Sequence, residues 1–320
     1  MYRRIVVPVD GTAFSESAIP FAANIAHRTG ARIELVRVHV PDPPGDDLYA
    51  LTPYRYEGVT SYYRELDREG LRREWDELAS RADALAEATG LEVLARLTRG
   101  RIDEAVEHEA EAFHADLIVM ATHARTGMAR ARLGSVADAV VRQATMPVLL
   151  VHPQDDAVDV EPAFDSLLVT LDGSGFSSQV LPHATALARL YQAEVALAHV
   201  EMARGFWTPA GTATPGQLPA TGADYLRQVV IDNGGFPRVP RLEAIVAHNA
   251  AAAILDAAER LGSSLIAMAT HGRGGFTRLV MGSTASTVLA RTTLPVLLLR
   301  PDPGTPVSLP TNHAHHAGML

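Results

Sequence analysis

Two stretches of this chain carry the same small and polar residues at the same spacing. Each starts with Ala-Thr-His, contains Gly-Ser and ends in Pro-Val-Leu-Leu; one covers 121–151 and the other 269–299. Fifteen positions are identical at a constant offset of 148. A Gly-Ser pair that begins a helix presents unpaired backbone N–H groups and a hydroxyl at the positive end of the helix dipole. Such a helix start binds a phosphate or another anion without needing a lysine.

Charged residues accompany each Gly-Ser pair. We expect the loop arginines to add phosphate contacts: Arg125, Arg130, Arg273 and Arg278. Asp10 and Asp172, each followed by glycine, could accept hydrogen bonds from a ribose or an amino group. The alternatives are structural, because Gly-Ser also serves as an N-cap, Asp-Gly as a turn and a loop histidine as an anchor. His271 and Asp172 could form an acid–base pair, but no serine nucleophile accompanies them, so turnover is not expected.

Strands and helices alternate in each copy, and they must position these residues. The front of each copy repeats as well, since 4–12 matches 166–174 at an offset of 162. Alternating strands and helices imply right-handed crossovers and a parallel sheet covered on both faces. We therefore predict two tandem five-stranded domains, doubly wound and Rossmann-like or flavodoxin-like, with strand order 3-2-1-4-5. That order opens a ligand crevice at the carboxyl ends of the first and fourth strands, which are followed by Asp10, Asp172, Thr122-His123 and Thr270-His271.

Changes in composition predict the domain boundaries. The domains are 1–152 and 164–300, and an acidic, proline-flanked linker at 153–163 joins them. Residues 208–222 are rich in Pro, Gly, Thr and Ala, which predicts a mobile loop. We expect the proline-rich tail 301–320 to be disordered, and its histidines to be solvated rather than to form a metal site: His313, His315 and His316.

Composition excludes several classes of protein. All 28 basic residues are arginine, so neither a P-loop nor a Schiff-base enzyme, both of which need a lysine, is available. The net charge of −9 argues against a nucleic-acid partner. No apolar run is long enough for a membrane span, and cysteine is absent. We therefore expect a cytoplasmic protein with no membrane association.

Both halves resemble universal stress protein domains, and the whole chain is similar to a tandem member of that family. The marks are Asp-Gly after the first strand, His-Val at the end of the second (His39-Val40 and His199-Val200), the Met-Ala-Thr-His loop and the Pro-Val-Leu-Leu last strand. Nucleotide-binding members have glycine, two residues, glycine, nine residues, then glycine with serine or threonine. This pattern falls on Ala269, Gly272, Gly282 and Ser283 in the second half, and on Ala121, Ala124, Gly134 and Ser135 in the first. Because glycine at the second position permits positive φ and close approach of a phosphate, we expect the second half to be the better site.

The resemblance also implies an adenine nucleotide alpha hydrolase-like fold and a ligand. That ligand is ATP, or the related ADP or AMP, with Mg²⁺ as an accompanying ion. In the second half the implied nucleotide-binding residues are Asp172, Val200, Met268, Ala269, Thr270, His271, Gly272, Arg273, Gly282, Ser283 and Thr284. In the first half they are Asp10, Val40, Met120, Ala121, Thr122, His123, Gly134, Ser135 and Val136. The two valines, at the ends of the second strands, would offer backbone groups to the adenine edge.

These features predict a stress-response protein that senses or regulates through nucleotide binding and acts on a protein partner not identified by the sequence. One alternative is a family member that binds no nucleotide and works through protein partners alone. Another is a slow ATPase or nucleotidyl-transfer enzyme. The apolar last strand of each half lies at a sheet edge, where bare backbone groups can pair with another sheet. As the resemblance implies, we expect the two halves to form a pseudo-dimer through these strands, with homodimerisation left open.

Overall fold

The structure is a computed structural model of the chain. It describes residues 2–40, 56–122, 134–153, 162–202, 221–270, 281–302 and 304, with the backbone alone for 56–64 and 66. By their contacts these residues form two compact units, the first ending at Ala121 and the second beginning at Thr122. The division therefore falls inside the first sequence repeat, about thirty residues before its predicted end at 152.

The first unit contains four parallel strands in the order β3-β2-β1-β4. The strands are β1 (Arg4–Pro8), β2 (Arg32–His39), β3 (Val93–Arg99) and β4 (Leu117–Ala121). The helices are α1 (Ala13–Glu16), α2 (Ile19–Thr29), α3 (Tyr56–Thr89) and α4 (Ile102–Ala112). The central strands β1 and β4 are almost wholly buried apolar runs, as expected for a parallel sheet with both faces covered.

Side chains of the first sheet alternate between its two faces. Arg37 and His39 of β2 meet the long helix α3 on one face. Arg96 of β3 points the other way and pairs with Glu109 of α4, with its Nε 3.0 Å from the carboxylate. Helices therefore cover both faces, as the doubly wound prediction requires.

The second unit contains six strands in the order β5-β10-β9-β6-β7-β8. They are β5 (Val148–Val151), β6 (Ser166–Leu171), β7 (Glu194–Met202), β8 (Arg241–Ala247), β9 (Leu265–Ala269) and β10 (Val296–Leu299). The helices are α5 (Ser135–Gln143), α6 (Gly175–Ser178), α7 (Leu181–Tyr191), α8 (Gly222–Asn233), α9 (Ala250–Arg260) and α10 (Ser283–Arg291). The second repeat thus has the predicted order 3-2-1-4-5, and the first unit shows the 3-2-1-4 part of the same order in the first repeat.

The last strands of the two repeats pair with each other inside the second unit. β5 and β10 are antiparallel, with Val296 opposite Leu150, Leu297 opposite Leu149 and Leu298 opposite Val148. All six side chains are buried. This pairing explains why α5 and β5, which belong to the first repeat by sequence, have their contacts in the second unit. Arrangement of the repeats as a pseudo-dimer, and homodimerisation, remain predictions.

Over the residues described, no helix is both long enough and apolar enough to cross a membrane. The predicted mobile loop at 208–222 lies outside the described residues up to position 220, as do most of the linker and nearly all of the tail.

Candidate functional site

In the second repeat, the ends of two neighbouring strands form the crevice, and all of its described residues lie in one unit. β6 and β9 are parallel neighbours, with Leu167 opposite Leu265 and Val169 opposite Ala267. Asp172 follows the end of β6, and Thr270 follows the end of β9. Because the strand order reverses between these two strands, their carboxyl ends are where an α/β sheet of this kind binds ligands.

The start of α10 lies directly against the end of β9. The Gly282 N–H donates to the Thr270 carbonyl at 2.8 Å. A Cβ on Gly282 would lie 3.0 Å from that oxygen, tighter than most real Cβ contacts, so a larger residue here would have to push the backbone carbonyl away. No side chain caps the helix within the part of the chain described, and neither Ser283 nor Thr284 has a partner there for its N–H. Backbone amides in this position, at the positive end of the helix dipole, are the kind that bind an anion.

Asp172 stabilises the turn after β6, the structural role that its sequence allowed as an alternative to ligand binding. Its Oδ1 accepts hydrogen bonds from the Ser174 backbone N–H at 2.9 Å and from the Ser174 hydroxyl at 2.5 Å. Ser174 in turn caps α6 by accepting from the Ser177 N–H. The carboxylate therefore holds the turn that follows β6. A hydrogen bond from Asp172 to a ligand remains a prediction.

Asp10 makes the same turn in the first unit. Its Oδ1 accepts from the N–H of Thr12 at 2.9 Å and from the hydroxyls of Thr12 and Ser15, both at 2.6 Å. Burial alone would raise the pKa of Asp10, but these hydrogen bonds together lower it below its ordinary value. The side chain is thus an anionic acceptor for N–H and O–H donors.

The remaining described site residues of the first repeat fall in both units. Met120 and Ala121 end β4 in the first unit, and both are buried. In the second unit, Thr122 is 1% exposed and its hydroxyl has no hydrogen-bond partner among the described residues. Gly134 is the N-cap residue of α5, and Ser135 and Val136 are the first two residues of that helix. A Cβ on Gly134 would meet nothing within 4 Å, so the first repeat lacks the close approach that Gly282 makes.

Strand register corrects one predicted equivalence. Pro8 lies opposite Val36 in the first unit, and Thr170 lies opposite Ala198 in the second. Both strands therefore keep the offset of 162, which makes Val38, not Val40, the counterpart of Val200. The His-Val dipeptide misled the comparison because it occurs two residues later in the first repeat. The constant offset in the sequence already contained the signal for Val38.

The same register makes Arg37 the counterpart of His199. The His199 ring is buried, and its Nδ1 lies 2.8 Å from the Leu171 carbonyl oxygen. The ring packs on Tyr225 with centroids 5.0 Å apart. His199 thus ties the end of β7, beside Val200, to the residue before Asp172.

Several predicted site residues lie outside the described residues: His123, Ala124, Arg125, Arg130, His271, Gly272, Arg273 and Arg278. Met268, at the end of β9, is buried, and Ala269 follows it. Among the described side chains, no group of three or more histidine, aspartate or glutamate residues is arranged to hold a metal ion. Mg²⁺ therefore remains a prediction.

Comparison with known proteins agrees with this architecture. The sequence model of the "Universal stress protein family" matches residues 1–152 and 163–300. A universal stress protein of Mycolicibacterium smegmatis is 27% identical over 300 residues, covering 93% of this chain and 97% of the relative. The crystal structure of a universal stress protein from Archaeoglobus fulgidus aligns with TM-score 0.66 at 18% identity, covering 93% of this chain and 98% of its own. A solved universal stress protein in complex with cAMP aligns with 48% of this chain and 99% of its own, at 26% identity and TM-score 0.35. Because the family model matches most of the chain in two copies, the protein belongs to the universal stress protein family as a two-repeat member.

Proposed function

We propose that this protein binds ATP, or the related ADP or AMP, in the crevice of its second repeat and serves as a nucleotide-dependent regulator in a stress response. The observation that carries the proposal is the start of α10. The Gly282 N–H donates to the Thr270 carbonyl, and the amides of Ser283 and Thr284 have no partner in the described chain. These amides would bind the phosphates, with Mg²⁺ as an accompanying ion.

The rest of the crevice suits the nucleoside. Asp172 lies at the end of β6, where its carboxylate can accept a hydrogen bond from a ribose hydroxyl. The backbone of Val200, which His199 fixes through the Leu171 carbonyl, can bind the adenine edge. By register, Val38 would have this role in the first repeat.

Isothermal titration calorimetry with ATP, ADP, AMP and cAMP tests the proposal, together with mass spectrometry of small molecules released on denaturation. We expect heat with at least one adenine nucleotide and stronger binding in the second repeat. If no nucleotide co-purifies and none gives heat, the proposal is wrong, and a family member that works only through protein partners is the better description. Phosphate release that survives repurification and is lost in His271→Ala would favour a slow ATPase or nucleotidyl-transfer enzyme.

A proline substitution tests the amide donors themselves. Ser283→Pro removes one N–H at the first helical position, where proline is well tolerated, and Gly282 already has the extended backbone that a following proline needs (φ −58°, ψ 145°). Loss of a charge-assisted hydrogen bond worth about 1.5–3 kcal/mol predicts about ten- to a hundredfold weaker binding. Ser283→Ala separates the hydroxyl from the amide.

Ser135→Pro is the matched control, since it removes the equivalent donor after Gly134, whose backbone is also extended (φ −55°, ψ 142°). We expect it to affect the stronger site little. A Ser283→Pro protein that binds as tightly as the parent would exclude this helix start as the phosphate site.

The setting of this activity is part of the same proposal. We infer a cytoplasmic protein that passes its nucleotide state to a protein partner, and a homodimer is its expected assembly. Sedimentation velocity with and without ATP measures that assembly directly.

A further inference from the structure

A buried histidine in the first unit lies between two carboxylates. His39, at the end of β2, has a side chain that is 5% exposed. Its Nδ1 is 2.9 Å from Glu74 Oε2, and its Nε2 is 2.8 Å from Asp67 Oδ1. Since each carboxylate oxygen can only accept, both ring nitrogens must donate. A histidine that donates from both nitrogens is an imidazolium cation.

The charged groups around His39 balance only when the ring is protonated. Arg37 Nη1 is 2.9 Å from Glu77 and Nη2 is 3.7 Å from Glu74, while Arg99 Nη2 is 2.6 Å from Asp67. The charged groups of the cluster are Asp67, Glu74 and Glu77 on α3, Arg37 and His39 on β2, and Arg99 on β3. With the imidazolium there are three positive and three negative charges. Without its proton, one negative charge is left in excess.

The long helix α3 is held to the sheet by different contacts along its length. Its later part docks through the buried apolar side chains of Leu78, Ala82 and Leu85. Over 67–77, by contrast, none of the side chains is buried to that degree. Asp67 and Glu74, which contact His39, both lie in this earlier part. The hydrogen bonds and ion pairs of the polar cluster therefore fasten residues 67–77 to β2 and β3.

We propose that His39, Asp67 and Glu74 form a pH-sensitive clasp, and that loss of the His39 proton releases residues 67–77 of α3 from the sheet. A neutral imidazole donates from one nitrogen only, so one carboxylate would then face a nitrogen lone pair. That carboxylate loses its hydrogen bond at the same moment as the cluster gains its excess negative charge. Segment 67–77 has no buried apolar side chain to hold it against this change.

The direction of the pH effect follows from the same contacts. Burial alone would lower the pKa of His39, but the hydrogen bonds and charges of Asp67 and Glu74 raise it above its ordinary value of 6.5. The hydrogen bond from His39 also lowers the pKa of Asp67, as expected when a protonated imidazole stabilises the charged carboxylate. A base whose folded pKa is raised stabilises the fold fully below its unfolded pKa, and that contribution is lost as the pH rises through the folded pKa. The clasp is closed in mildly acidic solution and opens toward alkaline pH.

The second repeat provides an internal control. At the offset of 162, the counterpart of His39 is Glu201, whose Oε1 accepts the Gly222 N–H of α8 at 2.5 Å. This contact contains no imidazole, so it lacks the group whose deprotonation is proposed to open the clasp. We therefore expect attachment of α8 not to follow the pH dependence of 67–77.

Hydrogen–deuterium exchange between about pH 6 and pH 9.5, corrected for intrinsic exchange rates, tests the clasp. Protection of the 67–77 amides should fall at least about tenfold across that range. Amides of 78–89 and of α8 should keep their protection. In His39→Gln, 67–77 should be weakly protected at every pH, whereas His108→Gln, which removes an exposed histidine of α4, should behave as the parent does.

Two results would overturn the proposal. One is a parent protein whose 67–77 protection is constant across the pH range, a measurement that needs no variant. The other is a His39→Gln protein that still shows the pH-dependent fall. If His39→Gln does not fold, Asp67→Asn serves instead, because losing one carboxylate lowers the His39 pKa. The fall should then move to lower pH, and a fall at the parent's pH would count against the clasp.

Discussion

Two glycine-to-alanine substitutions should have opposite effects on stability, although each glycine lies in a helix that packs beside the end of the second strand of its own repeat. Gly222 is the first residue of α8, and an added Cβ would overlap Glu201 Oε1 and lie 2.9 Å from His199 Cδ2. Glu201 can rotate away only by giving up its bond to the Gly222 N–H. His199 is buried and hydrogen-bonded to the Leu171 carbonyl, so displacing its ring costs free energy. Overpacking of this kind costs about 1–3 kcal/mol, and the lost hydrogen bond adds about 1 kcal/mol.

Gly70 of α3 is the position to compare with Gly222, because it too lies beside the end of the second strand of its repeat. The nearest atom to an added Cβ is His39 Cε1 at 3.6 Å, which is ordinary van der Waals contact. Alanine in place of a helical glycine stabilises by about 0.5–1 kcal/mol. We therefore expect Gly222→Ala to lower the free energy of unfolding by about 2 kcal/mol or more, and Gly70→Ala to raise it.

Urea unfolding followed by circular dichroism measures both effects. With a slope of about 2 kcal/mol per molar urea, a loss of 2 kcal/mol shifts the midpoint by about 1 M. Hydrogen exchange of α8 and α3 assigns each change to its helix. A Gly222→Ala protein with a midpoint at or above that of the parent would show that the contact with His199 relaxes freely, which would refute the reasoning.

Two further predictions concern positions whose surroundings differ between the repeats. Gly282→Ala should cost about 1–3 kcal/mol more than Gly134→Ala in thermal unfolding, because only the first places a methyl group 3.0 Å from a backbone carbonyl; equal losses would mean that α10 can shift without cost. Glu34 is 5% exposed, and its Oε2 has no hydrogen-bond partner in the part of the chain that the structure describes. Burial raises the pKa of Glu34, as does the smaller effect of Glu109, and the attraction of Arg96 only partly offsets this. An acid with a raised folded pKa loses stability as the pH rises from its unfolded pKa of 4.5 through the folded one, so Glu34→Gln should remove that decline and be the more stable protein at high pH. Unfolding free energies that decline with pH in the variant as they do in the parent would rule this out.

Sequence alone predicted the strand order but not which unit holds each strand. Alternation of strands and helices is a local property, and the crossover rules convert it into a topology. The partner of β5 is β10, about 148 residues away, and no local pattern contains that pairing. The predicted domain end at 152 reflects the sequence repeat, whereas the contacts divide the chain at Ala121.

For a similar reason, the sequence predicted those residues of the candidate site that have local roles, but not those that depend on distant parts of the chain. Gly282 and Asp172 have local roles, in a helix start and a strand-end turn, and short motifs predict both. Val40 was chosen from a dipeptide, whereas the register that favours Val38 is a property of two paired strands. The role of His39 depends on carboxylates 28 and 35 residues further along the chain. Only packing of α3 on the sheet brings them together.

The pairing of β5 with β10 also has a consequence for synthesis. The ribosome makes about 5–20 residues per second, so on the order of 10 s pass between the emergence of Val151 and that of Val296. During that time β5 has been made, but β10, the strand that pairs with its edge, has not. Conversely, β5 is missing from any fragment that begins at the repeat boundary, so β10 would lie at an unpaired sheet edge there. The two repeats can be read separately in the sequence, but the second unit is complete only when both have been made.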